Sequence, residues 1–181
     1  TLHFEHISAE PDSPFERQVF LAIREAERMA SSKLGIPGLR RIPREYRISL
    51  PELASLPSAS IGMMSGGSAG FAMTALAISL LGRLDLCRKS RSIPEGTAFT
   101  GMIDDKGNVL PVAGHHLGEK VRSVFFSTCS RLAVPSSNME KAAEELAGLR
   151  AQYPARRFEL VPVSQTSDIL GERKIAVIRN V

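Results

Sequence analysis

The sequence predicts an α+β domain, and three observations carry the prediction. Apolar residues recur at helical spacing in some segments and alternate in others. The order of these segments mixes hairpins with crossovers instead of repeating one unit. With 43% hydrophobic and 23% charged residues over 181 positions, the chain can bury a core without disulfide staples.

Residues 1 to 13 read as a polar, extended lead-in. Asp12 or Ser13 can cap a helix starting at Pro14, since proline is tolerated in a first helical turn. Phe15, Val19, Phe20, Ile23, Ala26 and Ala30 mark its inner face, and it stops by Lys33, ahead of Gly35 and Pro37. Tyr46, Ile48 and Leu50 alternate as a strand ending at Pro51. A short strand over Ser60 to Met64 precedes a tight turn, and a helix is expected from Ala69 to Leu81. The charged stretch from Gly82 to Gly96 reads as a loop. Strands from Thr97 to Ile103 and Val109 to Val112 flank Asp104-Asp105-Lys106-Gly107-Asn108, a hairpin signal. A helix from about His116 carries Lys120, and Arg131 to Pro135 is a strand. Ser136 or Ser137 caps the next helix, with Met139, Ala142, Ala143, Leu146 and Leu149 inward to about Ala151. Phe158 to Val163 is a strand, Ser167 to Leu170 a helical turn and Ile175 to Ile178 a last strand. Residues 1–57 form a helix and strand that lead into, or belong to, a core over 58–181.

Composition narrows the function classes. The net charge is +4, with denser groups at Arg40, Arg41, Arg44 and Arg47 and at Arg83, Arg88, Lys89 and Arg91. Two tyrosines and no tryptophan offer little for base stacking, so solvated loops explain these groups better than a nucleic-acid surface. Cys87 and Cys129 do not make a disulfide framework, and a reducing, cytoplasmic setting is expected. The apolar run from Phe71 to Leu81 is too short to span a bilayer. The chain opens on Thr1, and we expect it to be cut from a longer protein.

Ser68 stands in Ser65-Gly66-Gly67-Ser68-Ala69-Gly70, where a strand turns into a helix. Glycines allow tight turns and close approach of a substrate. A helix start aims unpaired N–H groups outward, where they can hold an oxyanion. The same residues also suit a helix cap in a glycine-rich turn, and Gly-x-Ser-x-Gly occurs in more than one hydrolase class. A phosphate loop is disfavoured because no Gly-Lys-Ser/Thr follows.

Further along come Phe99-Thr100-Gly101-Met102-Ile103, then Gly107-Asn108-Val109-Leu110-Pro111-Val112, then Gly118-Glu119-Lys120, then Val134-Pro135 with Asn138. In this order, together with the glycine-serine turn, they resemble the proteolytic domain of the Lon protease family over roughly residues 60 to 163. The resemblance implies the Lon proteolytic-domain fold (ribosomal protein S5 domain 2-like), a mixed sheet with flanking helices. It implies a serine endopeptidase with Ser68 as nucleophile, Lys120 as general base and Thr100 steadying the lysine. Gly67 and Ser68 would supply the oxyanion hole. A polypeptide substrate would lie extended along Ile61, Met63, Met64, Ser65 and Gly66. For such a pair to work the amine must be neutral when the hydroxyl attacks, a form that desolvation favours. The resemblance also implies a hexameric ring and no cofactor in this domain. ATP would enter only through a fused or partner ATPase or sensor domain.

The chain departs from the family pattern near the dyad. Ser65 replaces an acidic residue, Met102 a glutamate, and His115-His116 interrupt a glycine pair in a slightly lengthened segment. These changes bear on the polar network around the pair and leave room for a scaffold or regulatory domain with little peptidase activity. A Ser-His-Asp hydrolase would draw on Ser68, Asp104 or Asp105, and His115 or His116. It is disfavoured because the acids lie in a hairpin turn and too few strand–helix units follow Ser68. His115, His116 and Glu119 are too few for a confident metal site, and loop histidines are the simpler reading.

Overall fold

A computed structural model describes residues 2–5, 13–33, 46–49, 66–81, 90–170 and 177–179. The expected strand over 60–64, and with it Ile61, Met63, Met64 and Ser65, lies outside the described residues, as do Leu50, Pro51 and Cys87.

Strand β1 (Leu2–Glu5) pairs in parallel with β2 (Tyr46–Ser49), so the extended lead-in contains a short strand, in which Leu2 and Phe4 alternate with His3 and Glu5 in sequence. Helix α1 (Pro14–Lys33) begins at a cap: the Glu16 N–H donates to Ser13 Oγ at 3.2 Å. Its buried stripe is Phe15, Val19, Ala22, Ala26, Met29 and Ala30. Phe20, expected inside, is 60% exposed, and Ile23 is only half-buried. Each sits about 100° around the helix from a buried neighbour, Val19 or Ala22, and so falls at the edge of the stripe, which Ala22 and Met29 complete beside the expected Ala26 and Ala30.

Helix α2 (Gly70–Leu81) follows a 3₁₀ turn, Gly67–Ala69, and packs along α1. Strand β3 (Ser90–Ser92), inside the expected loop, pairs antiparallel with β9 (Val177–Arg179). No local turn signal could show a partner so distant in sequence.

A three-stranded parallel sheet forms the centre, in the order β4 (Thr97–Phe99), β7 (Arg131–Pro135), β8 (Glu159–Val163). Alternation along β7 divides the core. Ala133, Val161 and Val163 face α1 and α2. Leu132 and Val134 face helices α3 (Gly114–Phe125) and α4 (Met139–Gln152), joined by Phe158. Helices thus cover both faces, as buried parallel strands require. On α4, Ala142, Leu146 and Leu149 are buried and Ala143 is exposed, contrary to expectation. Neither Ser136 nor Ser137 caps α4; both lie in a 3₁₀ turn, and the N-cap residue, Asn138, makes no side-chain cap bond.

The expected strand Thr97 to Ile103 is broken. β4 ends at Phe99, and β5 (Met102–Ile103) leaves to form an antiparallel hairpin with β6 (Val109–Leu110). β6 ends at Leu110, before Pro111, which has no N–H to continue a ladder. In the hairpin turn Asp104 Oδ1 accepts from the N–H groups of Lys106 and Asn108, and Gly107 takes φ +82°. The Asn108 side-chain bond holds the Asp104 carboxyl below its usual range against slight desolvation, helped by these backbone bonds and the Lys106 charge.

The hairpin tip rests on α1. Thr166 Oγ1 donates to Glu25 Oε1, and Arg28 holds both Glu25 oxygens at 2.7 Å. A side chain at Gly107 would meet Glu25 Oε1. Burial pushes the Glu25 carboxyl up, but the Arg28 and Thr166 bonds and the Arg28 charge outweigh it and hold it below the usual range. A lowered folded-state pKa stabilises the fold above the unfolded value and ceases to do so as pH falls through the folded one. Glu25→Gln is therefore expected to lose about 2 kcal/mol at neutral pH. The gap to the parent should close on acidification below the ordinary carboxylate range, measured by urea unfolding across pH. A gap that persists unchanged at low pH would contradict this role.

Candidate active site

The turn Gly67–Ala69 carries Ser68 between two anchors. Its C-terminal side enters α2. Its carbonyl side is tied to the break in the central strand: the Gly101 N–H donates to the Ser68 carbonyl at 3.0 Å, and the Phe71 N–H donates to the Gly101 carbonyl at 3.0 Å. Thr100, next in line, keeps its N–H on Ala133 of β7 at 3.1 Å. Gly101 has φ +139°, and a Cβ there would lie 2.8 Å from Val109 Cγ1 and 3.2 Å from Pro135 Cγ. Glycine at 101 is what lets the chain leave one sheet for the hairpin while holding the serine turn.

Gln18 of α1 completes the mounting. Its amide pairs with the Ile103 backbone as a strand would, Nε2 donating to the carbonyl at 2.9 Å and Oε1 accepting from the N–H at 2.7 Å. A Cβ at Gly67 would meet Met102 Sδ at 2.9 Å and Gln18 Cγ at 3.3 Å, and one at Gly70 would collide with Gln18 Oε1. These two glycines therefore serve close packing against Gln18, a different use from the substrate approach expected of them. At Gly66 a Cβ would meet nothing within 4 Å. Sequence reasoning missed Gln18, although a signal existed: a polar residue at position i+3 from Phe15, on the apolar stripe.

Lys120 reaches the turn from α3. Leu117, Val121 and Phe125 bury that helix against the sheet. Lys120, one residue before Val121, is turned about 100° toward the gap between α3 and the serine turn. Its Nζ donates to Ser68 Oγ at 3.0 Å. The start of α3 is held by Asn138, whose buried side chain accepts from the Val112 N–H at 2.8 Å and donates to the Val112 carbonyl at 3.1 Å. This is where the Asn138 amide goes in place of a helix cap.

A cleft of about 790 Å³ gathers Gly66, Gly67, Ser68, Thr100 and Lys120. Phe99, Met102, Pro111 and Val124 make much of its wall apolar, with His116 and Glu119 also lining it. Thr100 is buried, but its Oγ1 has no hydrogen-bond partner among the described residues, so the expected bond to Lys120 is not formed.

The rival constellations do not come together. Asp104 and Asp105 line a different cleft beside Glu25 and Arg28, and the Asp104 carboxylate is occupied within the hairpin. His115 packs on His116 with ring centroids 3.9 Å apart, and His116 Nδ1 lies 3.8 Å from Glu119, both exposed. No three potential metal ligands cluster among the described residues. Cys129 is a free thiol, and no described helix is long and apolar enough to cross a membrane.

No family model and no curated protein matches the chain.

Proposed function

We propose that this chain is a Lon-like serine endopeptidase domain that cleaves peptide bonds through a Ser68–Lys120 dyad. The observation that carries the reading is the 3.0 Å approach of Lys120 Nζ to Ser68 Oγ across 52 positions of sequence (120 − 68), inside a cleft with apolar walls. A cap or a solvated lysine needs no such partner.

In the reaction, neutral Lys120 accepts the Ser68 proton as Oγ attacks the substrate carbonyl carbon. The resulting oxyanion is held by N–H groups of Gly67 and Ser68, which at a helix start have no earlier acceptor within the helix. Collapse breaks the C–N bond, and Lys120 returns the proton to the leaving amine. Water then attacks the acyl ester as Lys120 takes its proton; the ester C–O bond breaks as Lys120 passes that proton to Ser68 Oγ, which releases the new carboxyl end and restores the Ser68 hydroxyl and the neutral amine. Substrate would extend past Gly66 along 61–65. Two features support the Lon fold: the parallel sheet between helices, and a hairpin that follows directly on the Thr100–Gly101 pair. No cofactor enters this chemistry. A hexameric ring and a fused or partner ATPase or sensor domain, in the cytoplasm, complete the reading.

The test is turnover of an unfolded protein such as casein, with Ser68→Ala as control; turnover that survives in S68A refutes the dyad. Thr100→Val adds a second expectation. Removing an unpartnered buried hydroxyl should leave unfolding free energy unchanged or slightly raised. If that hydroxyl steadies Lys120 during proton transfer, turnover falls about tenfold. Unchanged turnover would show that Thr100 is only a packing residue.

A further inference from the structure

The Ser68 cleft opens beside the C-terminal end of β4, and the other end of the parallel sheet carries a second concavity with different chemistry. There β4, β7 and β8 begin side by side, with Thr97, Arg131 and Glu159 in register. A cleft of about 780 Å³ at these strand starts is lined by Arg131, Arg150, Arg156 and Arg157 together with Glu95 and Glu159, a formal charge of +2 (4 − 2). Three of the arginines are fixed by the chain. Arg131 pairs with Glu159 at 2.9 Å, and Arg150 donates to the Phe158 carbonyl at 2.6 Å. Arg156 donates to the carbonyls of Phe125, Ser127 and Cys129. Arg157 makes no hydrogen bond or ion pair among the described residues. Adjoining the cleft but not lining it is an aromatic pair, reached where the Arg156 N–H donates to the Tyr153 carbonyl at 3.0 Å: Phe126 and Tyr153 are 59% and 46% exposed and meet edge to face at 5.2 Å.

We propose that this cleft is a docking site for an acidic peptide segment carrying an aromatic or apolar residue, a role independent of the Ser68 reading. Guanidinium groups held in place by carbonyls lose little freedom on binding, and their remaining N–H groups match carboxylates in paired geometry. Glu95 and Glu159 interrupt the positive surface, which suits spaced carboxylates better than the continuous phosphate track of a nucleic acid. The Phe126–Tyr153 contact turns one ring's edge onto the other's face, leaving an apolar ridge and not two parallel platforms for bases. The residues that make this surface are far apart in sequence, and the basic groups that stood out along the chain fall mostly outside the described residues.

The test is fluorescence anisotropy of a labelled peptide with glutamate at alternate positions around one phenylalanine, against the same peptide with glutamine, titrated with the 181-residue chain. The glutamate peptide binds, weakens as salt rises, and exceeds the glutamine peptide by about tenfold or more. Arg157→Glu reduces its affinity about tenfold without moving the thermal midpoint, and Arg157→Lys retains most of it. Equal binding of the two peptides, no binding of either, unchanged affinity in R157E, or tighter binding of a single-stranded oligothymidylate would each overturn the proposal.

Discussion

Lys120→Met will abolish acylation of Ser68 while leaving the fold intact. The methionine keeps most of the side chain's apolar length, so α3 retains its packing through Leu117, Val121 and Phe125. What disappears is the group 3.0 Å from Ser68 Oγ. A serine hydroxyl without a base is a weak nucleophile, and removing a member of such a unit costs about 10⁴-fold or more in kcat. Single-turnover acylation with an activated ester, beside a urea melt, separates chemistry from folding. A loss of rate with an unchanged melt is expected. A fall of tenfold or less would mean that Lys120 is not the base.

Gly101→Ala should have the second large effect, and it acts through geometry. The alanine must hold φ near +139° with its methyl 2.8 Å from Val109 Cγ1. The left-handed backbone costs about 1–2 kcal/mol and the overpacking a further 1–3 kcal/mol, so about 3 kcal/mol of stability is expected to go. The chain can relieve this only by moving the elbow that accepts from Phe71 and donates to the Ser68 carbonyl. A displacement on the order of 1 Å at a reacting group costs about 10²-fold in rate. Well below its melting temperature, the variant should therefore show a kcat loss far larger than its unfolded fraction explains. Activity that simply follows the folded fraction would show the elbow to be a stability element alone.

Much of this arrangement was legible in the residues, and the parts that were not have physical reasons. Helix α1 could be read to both ends because Ser13, Pro14 and the later Gly35 act locally. The hairpin turn was legible because Asp104 and Gly107 satisfy its bonds within five residues. Ser68 and Lys120 emerged from motif order, not from spacing. The break at Thr100–Gly101 is only half legible: an isolated glycine in a strand hints at a bend, but the partner that fixes it, the Ser68 carbonyl accepting from the Gly101 N–H, comes from a turn distant in sequence. Gln18 was hidden because its partner is the backbone of Ile103, 85 positions away. On α1, spacing alone does not separate Phe20 and Ile23 from the buried stripe, because each is apolar and borders it; close packing against α2 selects Ala22 and Met29 instead. Tertiary partners decided each of these positions; periodicity marks Gln18 as a polar residue on the apolar stripe but carries no record of what it binds.

Activation of Ser68 by Lys120 can be read without a known substrate. Intact-mass analysis after incubation with a peptidyl phosphonate reads a single covalent adduct, and fragmentation locates it. One adduct is expected, on Ser68, absent in S68A and strongly slowed in K120M. An unmodified Ser68 across neutral and mildly alkaline pH, in a chain whose fold is intact, would mean that Ser68 is not an activated nucleophile.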